Sequence, residues 1–290
     1  MAEEANQRQS PLGLILIFIC VVIVPLAIGV FLAPRLIPAP QIGIIRLNYE
    51  IGGFTAQEFS EQLAYARENP AIKGVVFIIN SPGGSAAYSE EMYLDILHTR
   101  QTMPVVASID LLAASGGYYA AAAADEIYAK PTSTVGSIGV IASLPGDALI
   151  EEDLLTTGPY KGFGGTRDGF TRQMEAAKQT FLEAVSNGRG ERLNADLDFL
   201  SRAEVFTGLQ ALNLGLVDGL LATDETIQRT ADLAGLRNYE TVELYPLVYG
   251  EEQPVPFFKY QPTPVDTNKL WAAPTNLSPG LYYRYIVPSE

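Results

Sequence analysis

Two segments of this 290-residue chain carry residue types suited to acyl-transfer chemistry. The first is Asn80-Ser81-Pro82-Gly83-Gly84-Ser85, which follows an apolar run and precedes a helical pattern. Glycines there allow backbone conformations that a side chain forbids. They can aim N–H groups at one point, and the next helix N-terminus adds positive dipole. That suits an oxyanion hole at Gly83 and Gly84. A plain tight strand–helix turn reads equally well. The second segment is Ala113-Ala114-Ser115-Gly116-Gly117-Tyr118-Tyr119. Ser115 is flanked only by alanine and glycine and is sterically open. Its hydroxyl can act as a nucleophile with the Gly116 N–H beside the developing oxyanion. The plain alternative is a serine N-cap with small neighbours.

A serine nucleophile needs a base. His98 is the chain's one histidine and sits in the last turn of a helical segment, EEMYLDILHTR, where imidazole complements the helix dipole. A Ser-His-Asp triad is therefore disfavoured, and lysine is the remaining common base. Of the six lysines, Lys73 precedes a buried strand, Lys178 sits in an amphipathic helix, and Lys259 and Lys269 lie in the C-terminal tail. Lys130 and Lys161 remain. Lys161 lies in the aromatic, glycine-rich loop Thr157–Gly165. A lysine starts near about pKa 10.4, so a base at neutral pH needs a downward shift of about 3 units, roughly 4 kcal/mol. A dry site supplies it and a nearby carboxylate opposes it; Gly158–Thr166 contains no carboxylate. An ordinary exposed loop lysine stays open as a reading.

The rest of the chain must position these groups. Hydrophobic residues make up 48% and charged residues 18%, which excludes a disordered chain. The net charge of −14 supplies no basic face, so no nucleic-acid partner is expected. One cysteine and one histidine exclude an internal disulfide and a Cys- or His-rich metal site. No metal and no cofactor are expected. Residues 12–33 (LGLILIFICVVIVPLAIGVFLA) carry no charge and are long enough to span about 30 Å of hydrocarbon. They read as an uncleaved single-pass anchor in the lipid bilayer, since a signal peptide has a shorter apolar core and a small-x-small cleavage site. The domain reading is an N-terminal tail at 1–11, the anchor at 12–33, a Pro-rich stalk at 34–41, a folded domain at 42–245 and a Pro/Tyr-rich tail at 246–290. The tail is expected to lie extended over the domain or a neighbouring subunit.

Within the folded domain strand and helix patterns alternate. Strands are expected at Ile42–Leu47, Gly74–Asn80, Val105–Ile109, Glu126–Ala129 and Ser137–Ile141. Helices are expected at Thr55–Glu68, Ser85–Arg100, Ser115–Ala124, Thr171–Arg192, Leu209–Leu216 and Glu225–Ala234. The alternation predicts an α/β fold with a mostly parallel sheet and flanking helices.

The ordered motifs NSPGG, ASGGYYAAAAADEIYA, TVGSIGV, GPYKG and FTGLQALNLGLVD closely resemble the signal peptide peptidase A family, membrane-anchored serine proteases of the Clp protease/crotonase superfamily. The resemblance runs from about Ile42 to Gly219. It implies a Clp/crotonase-like core and a serine endopeptidase with a Ser-Lys dyad. Ser115 matches the nucleophile, Lys161 the general base, and Ser137 the serine that orients the lysine. Gly83, Gly84 and Gly116 match the oxyanion hole. It further implies a homo-oligomer and peptide substrates, remnant signal peptides or other short apolar segments, cut outside the cytoplasm at the cell membrane. The chain departs from the family in a shorter Val140–Lys161 stretch, in Gly162–Arg167, and in its long tail. Three other readings stand beside this one: a Clp-like membrane protease cutting a specific membrane partner, a crotonase-type acyl-CoA enzyme, and a non-catalytic oligomeric scaffold.

Overall fold

A computed structural model describes residues 11–29, 39–143, 157–158, 160–161, 164–253 and 280–284. The chain divides into two compact units, Met1–Pro40 and Gln41–Glu290. In the first, Pro11–Phe18 is α-helical, Ile19–Ile23 is a π-helix, and residues 24–29 are α-helical again. Pro25 accounts for the interruption. Its ring lacks an N–H and crowds the carbonyl four residues earlier, and a π-turn relieves that clash. Leu16, Ile17, Phe18, Val21 and Leu26 are exposed. Among the described residues no helix is long and apolar enough to cross a membrane. Residues 30–33 of the expected anchor and 34–38 of the stalk lie outside the described residues, as do 144–156 of the Val140–Lys161 stretch and 254–279 and 285–290 of the tail.

The second unit is built on a sheet of β1 (Gln41–Leu47), β2 (Ile72–Ser81), β4 (Val105–Ala114), β5 (Glu126–Ala129), β6 (Thr134–Gly136), β8 (Val205–Thr207), β9 (Gly219–Leu220) and β10 (Glu240–Glu243). The main order is β10-β1-β2-β4-β5-β9, with β6 on the distal half of β4 and β8 on β6. Every pairing is parallel except β6–β8, so the sheet is mixed. A second, three-stranded sheet has the order β3-β11-β7, from β3 (Gly83–Ser85), β7 (Ile141–Ser143) and β11 (Gly280–Arg284).

Strand alternation explains the layers. Ile45, Leu47, Val75, Phe77 and Ile79 face one way, into a core shared with Phe59, Leu63 and Ala66 of α1 (Gly53–Glu68) and Met92 and Ile96 of α2 (Ala86–Thr99). The short helix α3 (Gly116–Ala121) joins this core with all its residues buried. Ile42, Ile44, Val76 and Ile78 face the other way and pack on Ala231. Both faces of β1 and β2 are covered, so their sequences read as unbroken apolar runs rather than alternations. Crossovers and cover come from α4 (Arg167–Arg189), α5 (Leu197–Leu200), α6 (Gly208–Asn213), α7 (Thr223–Leu233), which carries Ala231, and α8 (Leu244–Tyr249).

Two expectations change. β4 runs on to Ala114, because its distal half pairs with β6 after its proximal half pairs with β5. The strand expected at Ser137–Ile141 does not form: residues 137–140 are irregular, between the short strands β6 and β7. Ser137 has φ +54°, a left-handed value that ends the extended path, and its N–H donates to the Glu204 carbonyl at 2.8 Å.

Candidate active site

The candidate residues gather at the carboxyl ends of three neighbouring strands, the usual ligand crevice of an open α/β sheet. Gly83 and Gly84 follow β2, Ser115 follows β4, and Ser137 follows β6. The register pairs Ser81 with Ala113 and Ala114 with Gly136, so the three turns lie side by side.

Ser115 occupies the sharp turn between β4 and α3 at φ +54°, ψ −123°. A non-glycine residue there costs of the order of 1–3 kcal/mol. Its N–H donates to the Gly136 carbonyl at 2.8 Å, which fixes the turn. The residue is only 1% exposed, and among the described residues its Oγ has no hydrogen-bond partner. Leaving a buried hydroxyl unpaired costs about 1–3 kcal/mol. Two independent penalties therefore fall on one side chain, the pattern of a group kept for reactivity rather than stability. The first amides of α3, Gly116 and Gly117, have no intrahelical acceptor and lie beside it. The Ser115 side chain makes no N-cap bond, which removes the plain capping alternative.

The Gly83-Gly84 turn is clamped from behind. Ile51 donates its N–H to the Gly83 carbonyl and accepts from the Ser85 N–H, each at 2.8 Å. A Cβ on Gly84 would lie 2.1 Å from the Ile51 oxygen, so only glycine fits. Because backbone groups of a strand alternate between its edges, the Gly84 N–H and carbonyl point away from Ile51. Ser81 adds to the clamp: its Oγ donates to the Tyr49 carbonyl at 2.6 Å and accepts from the Gly83 N–H at 3.2 Å. Sequence reading missed the Ile51 and Tyr49 contributions, which lie some 30 residues earlier in the chain and carry no local signal. We expect Gly84→Ala, whose Cβ would push the turn off Ile51 and so misplace the Gly84 N–H, to lower turnover by about 100- to 1,000-fold, the effect of losing one oxyanion donor, with kcat of the purified variant as the check.

Behind Ser115, Tyr118 is fully buried and donates its hydroxyl to the Leu216 carbonyl at 2.7 Å. Tyr119 packs edge-on against Tyr93 and at a tilt against Phe181, at centroid distances of 5.2 and 4.8 Å. Burial pushes both phenols well above their usual range, with nearby Asp218 adding for Tyr118 and Glu90 for Tyr119. They stay neutral and act as packing, not as bases.

The two lysines differ. The Lys130 ammonium is ion-paired with the Asp110 carboxylate. Lys161 is exposed in a turn, with its N–H on the Gly158 carbonyl at 3.2 Å. Among the described residues its side chain makes no hydrogen bond to Ser115. Gly162 and Phe163, in the same loop, lie outside the described residues. The register thus sets the turns of Ser115-Gly116, Gly83-Gly84 and Ser137 side by side, with Ser137 8% exposed. His98 sits in the last turn of α2, as its helical segment implied. Among the described residues no cluster of His, Cys, Asp or Glu could hold a metal ion.

The profile described as Peptidase family S49 matches residues 98–237, and that described as Clp protease matches residues 40–136. The chain is similar to Protease 4 of Salmonella typhi, 30% identical over 218 residues, covering 70% of this chain and 34% of that protein. It is also similar to the chloroplastic serine protease SPPA of Arabidopsis thaliana, 29% identical over 206 residues, covering 62% and 30%. The chain spans less than two thirds of the length of the curated relatives it matches. Among solved structures, a point mutant of the 1510-N membrane-bound stomatin-specific protease aligns with a TM-score of 0.51 at 16% identity, covering 71% of this chain and 98% of that one, which shows a shared fold.

Proposed function

We propose that the chain is a serine endopeptidase of the kind matched by the Peptidase family S49 profile, with Ser115 as its nucleophile. One observation carries this reading: a buried, unpartnered hydroxyl on a strained strand–helix turn, opening a short helix and facing a glycine turn that tolerates no side chain.

The steps follow from the groups present. Neutral Lys161 takes the Ser115 proton as Oγ attacks the peptide carbonyl. The Gly84 and Gly116 N–H groups stabilise the oxyanion, each such donor being worth about 3–4 kcal/mol. Protonated Lys161 returns its proton to the leaving amine. Water, deprotonated by the same lysine, then hydrolyses the acyl-enzyme and frees Ser115. Ser137 orients the amine. This mechanism requires the Lys161 amine within hydrogen-bonding reach of the Ser115 hydroxyl. Support for Lys161 over Lys130 comes from the GPYKG motif and from the Asp110 carboxylate that engages Lys130.

In this reading residues 12–33 anchor the enzyme in the bilayer with the peptidase unit outside the cytoplasm. Its substrates are remnant signal peptides and other short apolar segments, which stay in or near the membrane after their release. The uncharged, exposed apolar stretch at 16–28 supports the anchor. Exposed Phe54, Leu94, Leu111 and Leu209 on the second unit fit a self-associating enzyme.

The test is cleavage of a synthetic peptide with the composition of an apolar signal core by the full chain in detergent, followed by mass spectrometry. Lys161→Ala is expected to abolish cutting, and Lys130→Ala to leave it within about twofold. Full activity of Lys161→Ala, or loss on Lys130→Ala alone, would move the base to Lys130. Cutting by a Ser115→Ala variant would sink the peptidase reading.

A further inference from the structure

Two open grooves meet at the start of α1. The first, of about 470 Å³, runs along residues 49–58, and the second, of about 560 Å³, lies between α1 and the first turns of α2. Gly53 and Phe54 line both. Phe54 is 84% exposed, and Tyr88 of α2 is an exposed second aromatic wall. The rim is acidic: Glu58 belongs to the first groove and Glu61 and Glu91 to the second. Among the described residues no lysine, arginine or histidine lines either groove, and these three carboxylates make no ion pair. Burial pushes the Glu58 carboxyl above its usual range, and Glu61 adds to this against a hydrogen bond from Tyr245. Ser60, in the wall of the second groove, keeps its Oγ shielded from solvent with no hydrogen-bond partner among the described residues.

We propose that Phe54, Tyr88 and their acidic rim are a docking site for a lysine- or arginine-bearing flank of the apolar peptide substrate. The inference rests on the peptidase reading of Ser115 and adds to it which peptides are preferred and where they are cut. Charge complementarity names the occupant. An ammonium or guanidinium is drawn to an aromatic face and to unpaired carboxylates, while its apolar stem covers the rings. The same rim repels acidic segments. An apolar core preceded by basic residues is the composition of a signal peptide. Apolar pockets discriminate weakly between apolar segments, so a charged flank supplies selection that the core cannot. The site is also close enough to set the cut. Ile51, which clamps the Gly83-Gly84 turn, sits within the run of residues that forms the first groove and is bridged to Gly84. Bridged chains lie about 4.8 Å apart and an extended peptide advances about 3.3 Å per residue, so a flank seated on Phe54 lies about three to six residues from the carbonyl that is attacked.

The test uses the full chain in detergent and two peptides that share one apolar core, one preceded by three lysines and the other by three glutamines. At low salt the lysine peptide is expected to show a KM about tenfold lower with the same kcat, an advantage that shrinks at about 1 M salt. Equal KM values would overturn the proposal. Phe54→Ser and Glu91→Lys replace exposed side chains, so the fold is kept. Each is expected to raise KM for the lysine peptide toward that of the glutamine peptide and to leave kcat alone. A third peptide carries three added leucines between the lysines and the core. Its cut is expected to keep its distance from the lysines, and a cut that keeps its place in the core overturns the proposal. Binding is measured apart from turnover by titrating the fluorescent lysine peptide, read by anisotropy, into the full chain carrying Ser115→Ala. Saturable binding weakened about tenfold by Phe54→Ser supports the site; binding indifferent to Phe54→Ser overturns it. If wild type cuts no peptide while this binding persists, the peptidase reading fails and the docking site stands. If wild type cuts both peptides alike, the docking site fails and the peptidase reading stands. Sedimentation velocity separates a contact between copies: an assembly that dissociates on Phe54→Ser, with peptide binding unchanged, overturns the proposal.

Discussion

Ser115→Ala is expected to lower turnover by about 10,000-fold or more while the protein folds normally. Removing the nucleophile of an enzyme that works through a covalent intermediate leaves only the oxyanion site and binding to act on the peptide. The fold should not suffer, because among the described residues the Ser115 Oγ holds no hydrogen bond that the substitution would break. Deleting a buried orphan hydroxyl removes a desolvation penalty of about 1–3 kcal/mol. Ser115→Gly sharpens the argument. It abolishes activity as well, and it also relieves the φ +54° strain. The added freedom of glycine in the unfolded chain offsets about 0.5–1 kcal/mol of that gain. The net is a stabilisation of about 1–2 kcal/mol, or roughly 2–8 °C in Tm at about 2–4 °C per kcal/mol. Thermal melts beside peptide assays check both. A Ser115→Gly protein that is less stable and equally inactive would mean that Ser115 is structural.

The second large effect concerns stability. Arg189, at the end of α4, is 1% exposed and donates its Nε to the Gly215 carbonyl at 2.8 Å. Its other two nitrogens grip Asp218 in a fork, both at 2.8 Å. Asp218 in turn accepts the Ile127 N–H at 2.7 Å and a second arginine, Arg192, at 3.0 Å. The group therefore ties α4 to β5 and to the segment whose Leu216 carbonyl receives Tyr118 from α3. Arg189→Met is expected to cost about 3–5 kcal/mol, because it leaves a carboxylate in a mostly buried site without its main partner. Burial would raise the Asp218 carboxyl, but the arginines and the Ile127 amide outweigh it and hold it below the usual range. A depressed folded pKa contributes stability that is fully present above the unfolded value of about 3.9 and is lost as pH falls through the folded value. The gap between wild type and Arg189→Met should therefore be widest at neutral pH and narrow in acid. Urea midpoints at several pH values give the measurement, and a gap independent of pH would show that the ion pair is not its source.

These effects lie at different distances from what the sequence alone shows. Glycine pairs and an open serine placed just after apolar runs are local facts, and they located the Ser115 and Gly83-Gly84 turns before any coordinates. The apolar run at β2 and the helical spacing of α1 and α2 are equally local, because a strand buried on both faces and a helix with one core face each impose their own pattern on nearby residues. The resemblance added the order of the motifs and the role of Lys161. Local pattern could not show what rests on partners far along the chain. The Arg189–Asp218 fork is one case: Arg189 reads as an ordinary basic residue at a helix end, and its partner lies 29 residues on. The end of the strand pattern at Ser137 is another, set by a hydrogen bond to Glu204. The tail is the clearest. Prolines and tyrosines predict an extended path, since proline forbids helix and leaves backbone groups seeking partners elsewhere. Only the tertiary structure placed residues 280–284 between β3 and β7, because a strand's hydrogen bonds are satisfied by whichever edges the rest of the fold leaves open.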